Sequence, residues 1–182
     1  MKKVNIRQDF EFKDVTLINF VNLSYEEKHM IRKWRNNEDI RKWMCSSRMI
    51  SKKEHNDFIK SLNNDNEMTY WLVKKGLDEY YGVIYLKRIC SKNKNAYLGI
   101  YVNPRSKVKS KGAFMIQLLI RVSFNRLKLH TLKLEVVEDN LRAIEFYKKN
   151  GFVKEGKIKE CVFRDREWKD MIMMGIINNK ER

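Results

Sequence analysis

Asn140 and Tyr147 lie seven residues apart in a segment whose pattern predicts a buried strand, a helix that begins at an asparagine, and a stop at Gly151. Seven residues make about two turns at roughly 3.6 residues per turn, so the amide and the phenol share one helix face. Such a unit could hold a thioester, with the amide binding the ligand and the phenol donating a proton. The alternative is an amphipathic helix that Asn140 caps and whose Tyr147 belongs to the core.

The segment 134–152 resembles the N-x-x-A-x-x-x-Y-x-x-x-G-F element of the Gcn5-related N-acetyltransferases, the GNAT superfamily. This resemblance implies that acetyl-CoA is the cosubstrate, that Asn140 contacts its pantetheine, and that Tyr147 protonates the departing thiolate. The sequence has neither an H-E-x-x-H motif nor a Cys–His pair at a useful spacing, so we expect no metal and no covalent intermediate.

A basic segment between Pro104 and Phe114 is predicted to form a strand-to-helix junction that binds phosphate. Free N–H groups at a helix N-terminus form an anion site, and Gly112 would allow close approach. The segment resembles the family's Q/R-x-x-G-x-G/A pyrophosphate loop, with Lys109 at its first position and Phe114 where Gly or Ala is usual. A basic surface loop is the alternative. The preceding strand, 96–102, resembles the splayed strand whose backbone pairs with pantetheine.

The residues that this resemblance assigns to acetyl-CoA are Ile100, Tyr101, Val102, Lys109, Lys111, Gly112, Ala113, Phe114, Asn140 and Lys149.

An acceptor ammonium must lose a proton before it can attack, so the site needs a base. Glu135 lies on the predicted strand before Asn140, twelve residues before Tyr147. Ribosomal-protein N-terminal acetyltransferases of this family place a base carboxylate at that spacing, which makes Glu135 the first candidate. Glu138, in the turn, is the less favoured alternative, and Glu135 could instead be a polar residue on a solvated strand face.

Tyr97 follows Ala96 where many protein-acetylating members have a glutamate, and an aromatic ring there could pack on a sugar or base. Several segments resemble a narrower family, the N-acetyltransferases of pseudaminic acid biosynthesis; they include W-R-N at 34–36, W-M at 43–44 and the segment 97–104. That family acetylates the 4-amine of UDP-4-amino-4,6-dideoxy-N-acetyl-β-L-altrosamine for flagellin glycosylation. The acceptor residues that the resemblance implies are Arg35, His55, Lys87, Arg88, Tyr97 and Tyr101.

The chain's 182 residues suit one domain spanning 1–182, and its formal net charge of +16 favours a polyanionic ligand or a lysine-rich solvated surface. No apolar run is long enough to span a membrane, and the first seven residues do not resemble a signal peptide, so we expect a cytoplasmic protein. Cys45, Cys90 and Cys161 are odd in number and widely spaced, which predicts reduced thiols.

Hydrophobic patterns predict a mixed α/β fold with a central sheet of about seven strands in the order βααβββαβαββ, the layout of the GNAT fold. Two helices are each expected to begin with an S-x-x-E capping box, at Ser24 and Ser51. The expected strands are 14–22, 68–75, 80–90, 95–102 and 131–137, with two more around the turn at Arg164 and Asp165, and a helix is expected over 112–129.

The sequence is thus interpreted as an N-acetyltransferase that transfers acetyl directly from acetyl-CoA to a UDP-amino sugar. Two alternatives stay open: a ribosomal-type protein N-terminal acetyltransferase, and a basic nucleic-acid-binding module that has lost activity. We expect neither nucleic acid nor membrane as a partner, and whether the chain forms a homodimer is left open.

Overall fold

The computed structural model describes residues 5–44, 46–164 and 166–179. Its strands are β1 (Phe10–Phe12), β2 (Val15–Asn19), β3 (Thr69–Lys75), β4 (Glu79–Cys90), β5 (Asn95–Val102), β6 (Thr131–Val137), β7 (Val153–Arg164) and β8 (Glu167–Ile177). Its helices are α1 (Tyr25–Arg35), α2 (Glu38–Arg41), α3 (Lys52–Ser61), α4 (Lys111–Arg121) and α5 (Leu141–Lys149). Cys45 and Asp165, which the predictions above include, lie outside the described residues.

One mixed sheet of eight strands, in the order β1-β2-β3-β4-β5-β6-β8-β7, organises the chain and confirms the predicted fold class. All neighbouring strands are antiparallel except β5 and β6, which are parallel. The short strand β1 and the short helix α2 add to the predicted order. The first predicted strand ends early because the Asn19 side chain accepts a hydrogen bond from the Val21 N–H and begins a 3-10 turn over Phe20–Asn22.

Both predicted capping boxes are present. The Ser24 hydroxyl accepts from the Glu27 N–H and the Glu27 carboxylate accepts from the Ser24 N–H, while Ser51 and Glu54 do the same for α3. These reciprocal bonds satisfy backbone groups that a helix start otherwise leaves unpaired. The predicted helix over 112–129 instead ends its α-helical part at Arg121 and continues as a π turn, Val122–Arg126.

Two hydrophobic clusters lie on opposite faces of the sheet. The larger one packs α4 and α5 on one face, and it includes Ile116, Leu119 and Tyr147. The smaller one packs α1 and α3 on the other, and it includes Ile31, Trp34 and Ile59. No helix in the described part of the chain has both the length and the apolar character needed to cross a membrane.

The ladder between β5 and β6 is short. In the described residues it comprises the pairs Asn95–Thr131, Ala96–Leu132 and Tyr97–Lys133. The antiparallel ladders on either side run much further, from Gly82 to Cys90 along β4 and over all seven residues of β6 against β8. The two central strands therefore separate after Tyr97 and Lys133, which opens the sheet between its helical layers.

Candidate active site

The opening between β5 and β6 has a helix N-terminus at one end. The αL conformation of Ser110 starts α4, and its side chain makes no capping hydrogen bond. The first helical bond runs from the Phe114 N–H to the Ser110 carbonyl at 3.1 Å. The N–H groups of Lys111, Gly112 and Ala113 therefore belong to the unpaired first turn, where the helix dipole favours an anion.

Three elements converge beside that helix start. A side chain placed on Gly112 would point at the Phe146 ring of α5, 3.5 Å away, and at the Val102 side chain of β5, 3.8 Å away. The glycine hydrogen thus faces the space between β5, α4 and α5. The arrangement brings the predicted residues Val102 and Gly112 together and adds Phe146, which sequence reasoning missed.

Other residues assigned to acetyl-CoA are placed differently. Phe114 is 41% exposed and meets the Tyr81 ring edge-on at 5.7 Å, and its N–H is already used within the helix. The Lys111 ammonium donates to the Ser106 carbonyl, and partial burial lowers its pKa. Lys109 and Lys149 are exposed, and Ile100 packs against the larger core cluster. The groups of this loop that are placed to meet an anion are therefore the backbone N–H groups of residues 111–113, and their use for phosphate stays a prediction.

Asn140 is the N-cap of α5, as the alternative interpretation predicted. Its side-chain oxygen accepts from the Ala143 N–H at 3.1 Å. Because the oxygen is used by the helix, the amide NH₂ is the group left to donate to a ligand. Capping and ligand binding are thus compatible uses of one side chain.

Tyr147 is 8% exposed and packs edge-on against Phe146 and Phe152 at 5.2 and 5.7 Å between ring centroids. Burial raises the pKa of its phenol well above the ordinary value, and the nearby Tyr85 adds to the shift. The phenol therefore stays protonated at neutral pH, as a proton donor requires.

On the opposite face of the sheet, a second group of residues surrounds Glu135. The Arg88 guanidinium lies 2.9 Å from the Glu135 carboxylate and 4.7 Å from the centroid of the Tyr97 ring. The ion pair raises the pKa of Arg88. The structure thus brings together three predicted residues, but it pairs Arg88 with the carboxylate and covers the Tyr97 ring that was expected to meet a sugar or base.

An aromatic cluster continues this surface over β3, β4 and β5. Tyr85 stacks on Tyr70 with centroids 4.7 Å apart, and the Lys87 ammonium lies 5.1 Å from the Tyr85 centroid. Burial, with Tyr85 as a further cause, raises the pKa of Tyr101, while the charge of Arg35 lowers it. Arg35 therefore lies close to Tyr101, and its guanidinium also donates to the Ser46 carbonyl at 2.9 Å.

His55 differs from the other predicted acceptor residues. It is 6% exposed, lies between α1 and α3, and is hydrogen-bonded to the Lys28 backbone. Burial, reinforced by the charges of Arg32 and Lys28, lowers its pKa to about 4 despite that bond. A nucleobase could not stack on this buried imidazole. Burial also keeps the imidazole neutral at pH 7.

Tyr85 and Gly99 were also missed. A glycine in the middle of a strand is a signal that another group approaches the backbone closely, so Gly99 could have been found. Nothing in the local pattern distinguishes Tyr85 from its neighbours. Among the described residues, no group of three or more His, Cys, Asp and Glu side chains could hold a metal ion, and the absence of a metal from the reaction stays a prediction.

Comparison with known proteins identifies the family. Residues 25–173 match the acetyltransferase (GNAT) domain. The chain belongs to the GNAT acetyltransferase family. It is an enzyme of that class, whose members transfer acetyl from acetyl-CoA.

Among relatives of this GNAT protein, acetyltransferase PseH of Campylobacter jejuni (strain 81-176) is 34% identical over 138 residues, which cover 76% of this chain and 84% of PseH. Spermidine N(1)-acetyltransferase of Vibrio cholerae is 26% identical over 145 residues, covering 80% and 84% of the two chains.

Two solved structures show the same fold. The C. jejuni PseH structure has a TM-score of 0.69 and 26% identity, covering 91% of this chain and 99% of its own. The V. cholerae spermidine acetyltransferase in complex with CoA and spermine has a TM-score of 0.83 and 24% identity, covering 93% and 98%.

Proposed function

We propose that this acetyltransferase acetylates the 4-amino group of a UDP-4-amino-4,6-dideoxy sugar, UDP-4-amino-4,6-dideoxy-N-acetyl-β-L-altrosamine, in pseudaminic acid biosynthesis for flagellin glycosylation. The similarity to PseH supports this acceptor. Another relative, spermidine N(1)-acetyltransferase, names a polyamine as its acceptor, and a polyamine is positively charged whereas a nucleotide sugar is negatively charged. The charge of the acceptor surface therefore decides between them.

That surface is cationic, and this is the observation that carries the proposal. Arg35, Lys87 and Arg88 surround the tyrosine cluster, and the Glu135 carboxylate is already paired with Arg88. Asp65 is a further carboxylate near the cluster, and its charge helps to raise the pKa of Tyr70. The three cations outnumber the Glu135 carboxylate that Arg88 pairs with, so a diphosphate would be attracted to this surface, whereas a polyamine would be repelled. The tyrosine rings offer faces on which a uracil or sugar can pack.

The proposed chemistry is direct transfer in a ternary complex. Acetyl-CoA would lie in the opening between β5 and β6, with its pyrophosphate at the N–H groups of Lys111, Gly112 and Ala113. Its pantetheine would lie along β5 and receive a hydrogen bond from the Asn140 amide. Glu135 would take a proton from the acceptor ammonium through a water molecule, and Tyr147 would protonate the thiolate.

The test is a comparison of acceptors under identical conditions. Purified protein is incubated with acetyl-CoA and, separately, a UDP-4-amino-4,6-dideoxy sugar, spermidine and a peptide with a basic N-terminus, and the products are identified by mass spectrometry. We expect acetylation of the UDP-amino sugar. Turnover of spermidine or the peptide without turnover of the UDP-amino sugar would reject the proposed acceptor.

A matched pair of variants tests the charge argument. Arg35→Ala should raise the acceptor KM about tenfold or more and leave acetyl-CoA affinity nearly unchanged, because a diphosphate would lose one charge-assisted contact. Arg121→Ala removes one positive charge beside Phe12, away from the acceptor surface, and should change neither constant. Equal effects of the two variants would mean that only the overall charge matters.

A further inference from the structure

The α2–α3 loop, residues 42–51, has no helix or strand in the part that the structure describes. Its second half is held by polar side chains of the residues just before it. The Asn36 amide donates to the Ile50 carbonyl at 2.9 Å and accepts from the Ile50 N–H at 2.8 Å. The Arg41 guanidinium donates to the Ser47 carbonyl at 2.9 Å. These hydrogen bonds fix a segment that regular secondary structure does not.

The first half of the α2–α3 loop is held from the other end of the chain. The Arg164 guanidinium, at the end of β7, donates from Nη1 to the Lys42 carbonyl at 2.5 Å and from Nη2 to the Met44 carbonyl. These partners precede Arg164 by 122 and 120 residues. The Nε atom of Arg164 is buried, so the guanidinium lies within the contact rather than in solvent. We call this pair of hydrogen bonds the Arg164 clasp.

The Arg164 clasp lies on the face of the sheet that carries Glu135. Arg164 pairs with Glu167 of β8, and residues at even spacing along a strand share a face, so Met173 lies on the same face. Met173 in turn pairs with Glu135 of β6. Met44 packs against the smaller hydrophobic cluster, which lies on β3 and β4. The clasp therefore joins the two sides of the proposed acceptor surface, with the proposed base on a strand between them.

Ser46 connects the Arg164 clasp to the acceptor site. Its carbonyl accepts from Nη2 of Arg35 at 2.9 Å. The clasp fixes the carbonyl of Met44, two residues before Ser46, and Arg41 fixes the carbonyl of Ser47, the next residue. A long side chain that is already held in one orientation loses less conformational freedom when it binds a ligand. The Ser46 carbonyl can therefore pre-organise Arg35 only while the loop is held in place.

We infer that Arg164 is a positioning residue for the acceptor. By fixing the α2–α3 loop, it holds the Ser46 carbonyl where that carbonyl orients the Arg35 guanidinium towards the acceptor diphosphate. Arg164 itself does not contact the acceptor. The inference rests on the proposed function, in which Arg35 binds the diphosphate, and it adds a residue from the far end of the chain that sets acceptor affinity.

Loss of the Arg164 clasp should weaken acceptor binding alone. Arg164→Ala should raise the acceptor KM on the order of tenfold, as for one charge-assisted hydrogen bond, and leave kcat and the acetyl-CoA KM nearly unchanged. Arg164→Lys keeps the positive charge but replaces the two-pronged guanidinium by a single ammonium, so its acceptor KM should lie between those of the wild type and Arg164→Ala. The measurement is initial rates with whichever acceptor of the panel above the wild-type protein acetylates, and thermal melts check the fold.

The matched control is Arg166→Ala, which removes the same charge two residues further along the β7–β8 hairpin. It should leave the acceptor KM near the wild-type value, because Arg166 is not part of the clasp. Equal effects of Arg164→Ala and Arg166→Ala would mean that the charge of the hairpin alone sets the KM, and this result would overturn the positioning role.

A double variant distinguishes positioning through Arg35 from an independent effect. Arg35→Ala removes the group that is being positioned, so adding Arg164→Ala to it should not raise the acceptor KM further. Increases that multiply in the double variant would overturn the inference, because residues that act independently behave in that way.

Trypsin reports on the Arg164 clasp without any turnover of acceptor. The protease cleaves after Lys42, and the carbonyl of that peptide bond is the one that accepts from Arg164. Brief digestion of the native protein should therefore cut between Lys42 and Trp43 on the order of tenfold faster in Arg164→Ala, the effect of one hydrogen bond to a charged group. Arg166→Ala should be cut there at the wild-type rate. Mass spectrometry of the peptides gives the rates.

The outcomes separate the Arg164 clasp from the proposed function. A raised acceptor KM in Arg35→Ala, with a wild-type KM in Arg164→Ala, overturns the positioning role and leaves the diphosphate contact standing. A wild-type acceptor KM in Arg35→Ala contradicts the proposed diphosphate contact and overturns the positioning role with it. An unchanged rate of cleavage after Lys42 in Arg164→Ala contradicts the clasp itself.

Discussion

The Arg88 guanidinium and the Glu135 carboxylate lie 2.9 Å apart and join β4 to β6 above the intervening strand β5. Arg88 has a left-handed backbone, with φ of 50°, at an irregularity where the β4–β5 register shifts between Lys87 and Cys90. This conformation turns the guanidinium over the Tyr97 ring and onto Glu135. The carboxylate is thus fixed at the point where the opening begins.

Glu135→Gln should lower kcat on the order of 10²-fold, because it removes the proposed proton acceptor and keeps the size of the side chain. Raising the pH should restore part of the rate, since more of the acceptor amine is then already deprotonated. The measurement is kcat as a function of pH. Glu138→Gln is the matched control, because Glu138 pairs with Lys157 at 2.7 Å at the end of β6. If Glu138→Gln alone is slow, the base has to be reassigned to Glu138.

Substitutions at Asn140 should separate capping from ligand binding. Asn140→Ala should cost roughly 1 kcal/mol in the free energy of unfolding, because the Ala143 N–H loses its side-chain acceptor and keeps only the Asn140 carbonyl. Asn140→Ser keeps a capping oxygen, so its stability should stay close to the wild type. Both variants lack the amide NH₂ and should raise the acetyl-CoA KM. Urea unfolding and initial rates test this, and an unchanged KM in both variants would make Asn140 a cap alone.

His55 should make the protein less stable as the pH falls. Its pKa is about 4 in the fold and near 6.5 when exposed, so the unfolded chain binds the proton more readily between these values. The stabilisation is present above pH 6.5 and is lost as the pH falls towards 4, a change of roughly 3 kcal/mol. His55→Gln cannot titrate and should flatten the dependence, while the partly exposed His29→Gln should alter it much less. Urea unfolding at several pH values gives the comparison, and an unchanged slope in His55→Gln would contradict it.

Gly99→Ala should destabilise the protein by about 1–3 kcal/mol, because its methyl group would collide with the Tyr85 ring. A side chain on Gly156 of β7 would meet nothing within 4 Å, so Gly156→Ala serves as the control in a strand. Tyr85→Ala removes the ring that the new methyl group would meet. Gly99→Ala should therefore destabilise the Tyr85→Ala variant less than it destabilises the wild type. Denaturant unfolding measures all of these. Equal stability of the two alanine variants would mean that the ring moves aside at no cost.

Local rules predicted most of the elements. The S-x-x-E pairs marked both helix starts, and alternation placed β5 and β6 within a residue, because caps and side-chain periods depend on neighbours in the chain. The missed features depend on distant contacts instead. Arg88 meets Glu135 across 47 residues, and the phenol of Tyr85 occupies the space above Gly99. The burial of His55 follows from how α1 packs on α3, which its own helix pattern does not reveal.

The early end of the β5–β6 ladder also bears on aggregation. A strand edge with unpaired backbone groups is a template for strands of other proteins, and natural sheets guard their outer edges with charge and irregular pairing. The outer strand β7 does so with Lys154, Lys157 and Lys159 and with two register shifts against β8. The edges of β5 and β6 lie at the centre of the sheet, between helices on both faces, where a foreign strand would have to insert between packed layers. The backbone groups where β5 and β6 separate can therefore bind an extended ligand, while strands of other protein molecules in solution cannot reach them.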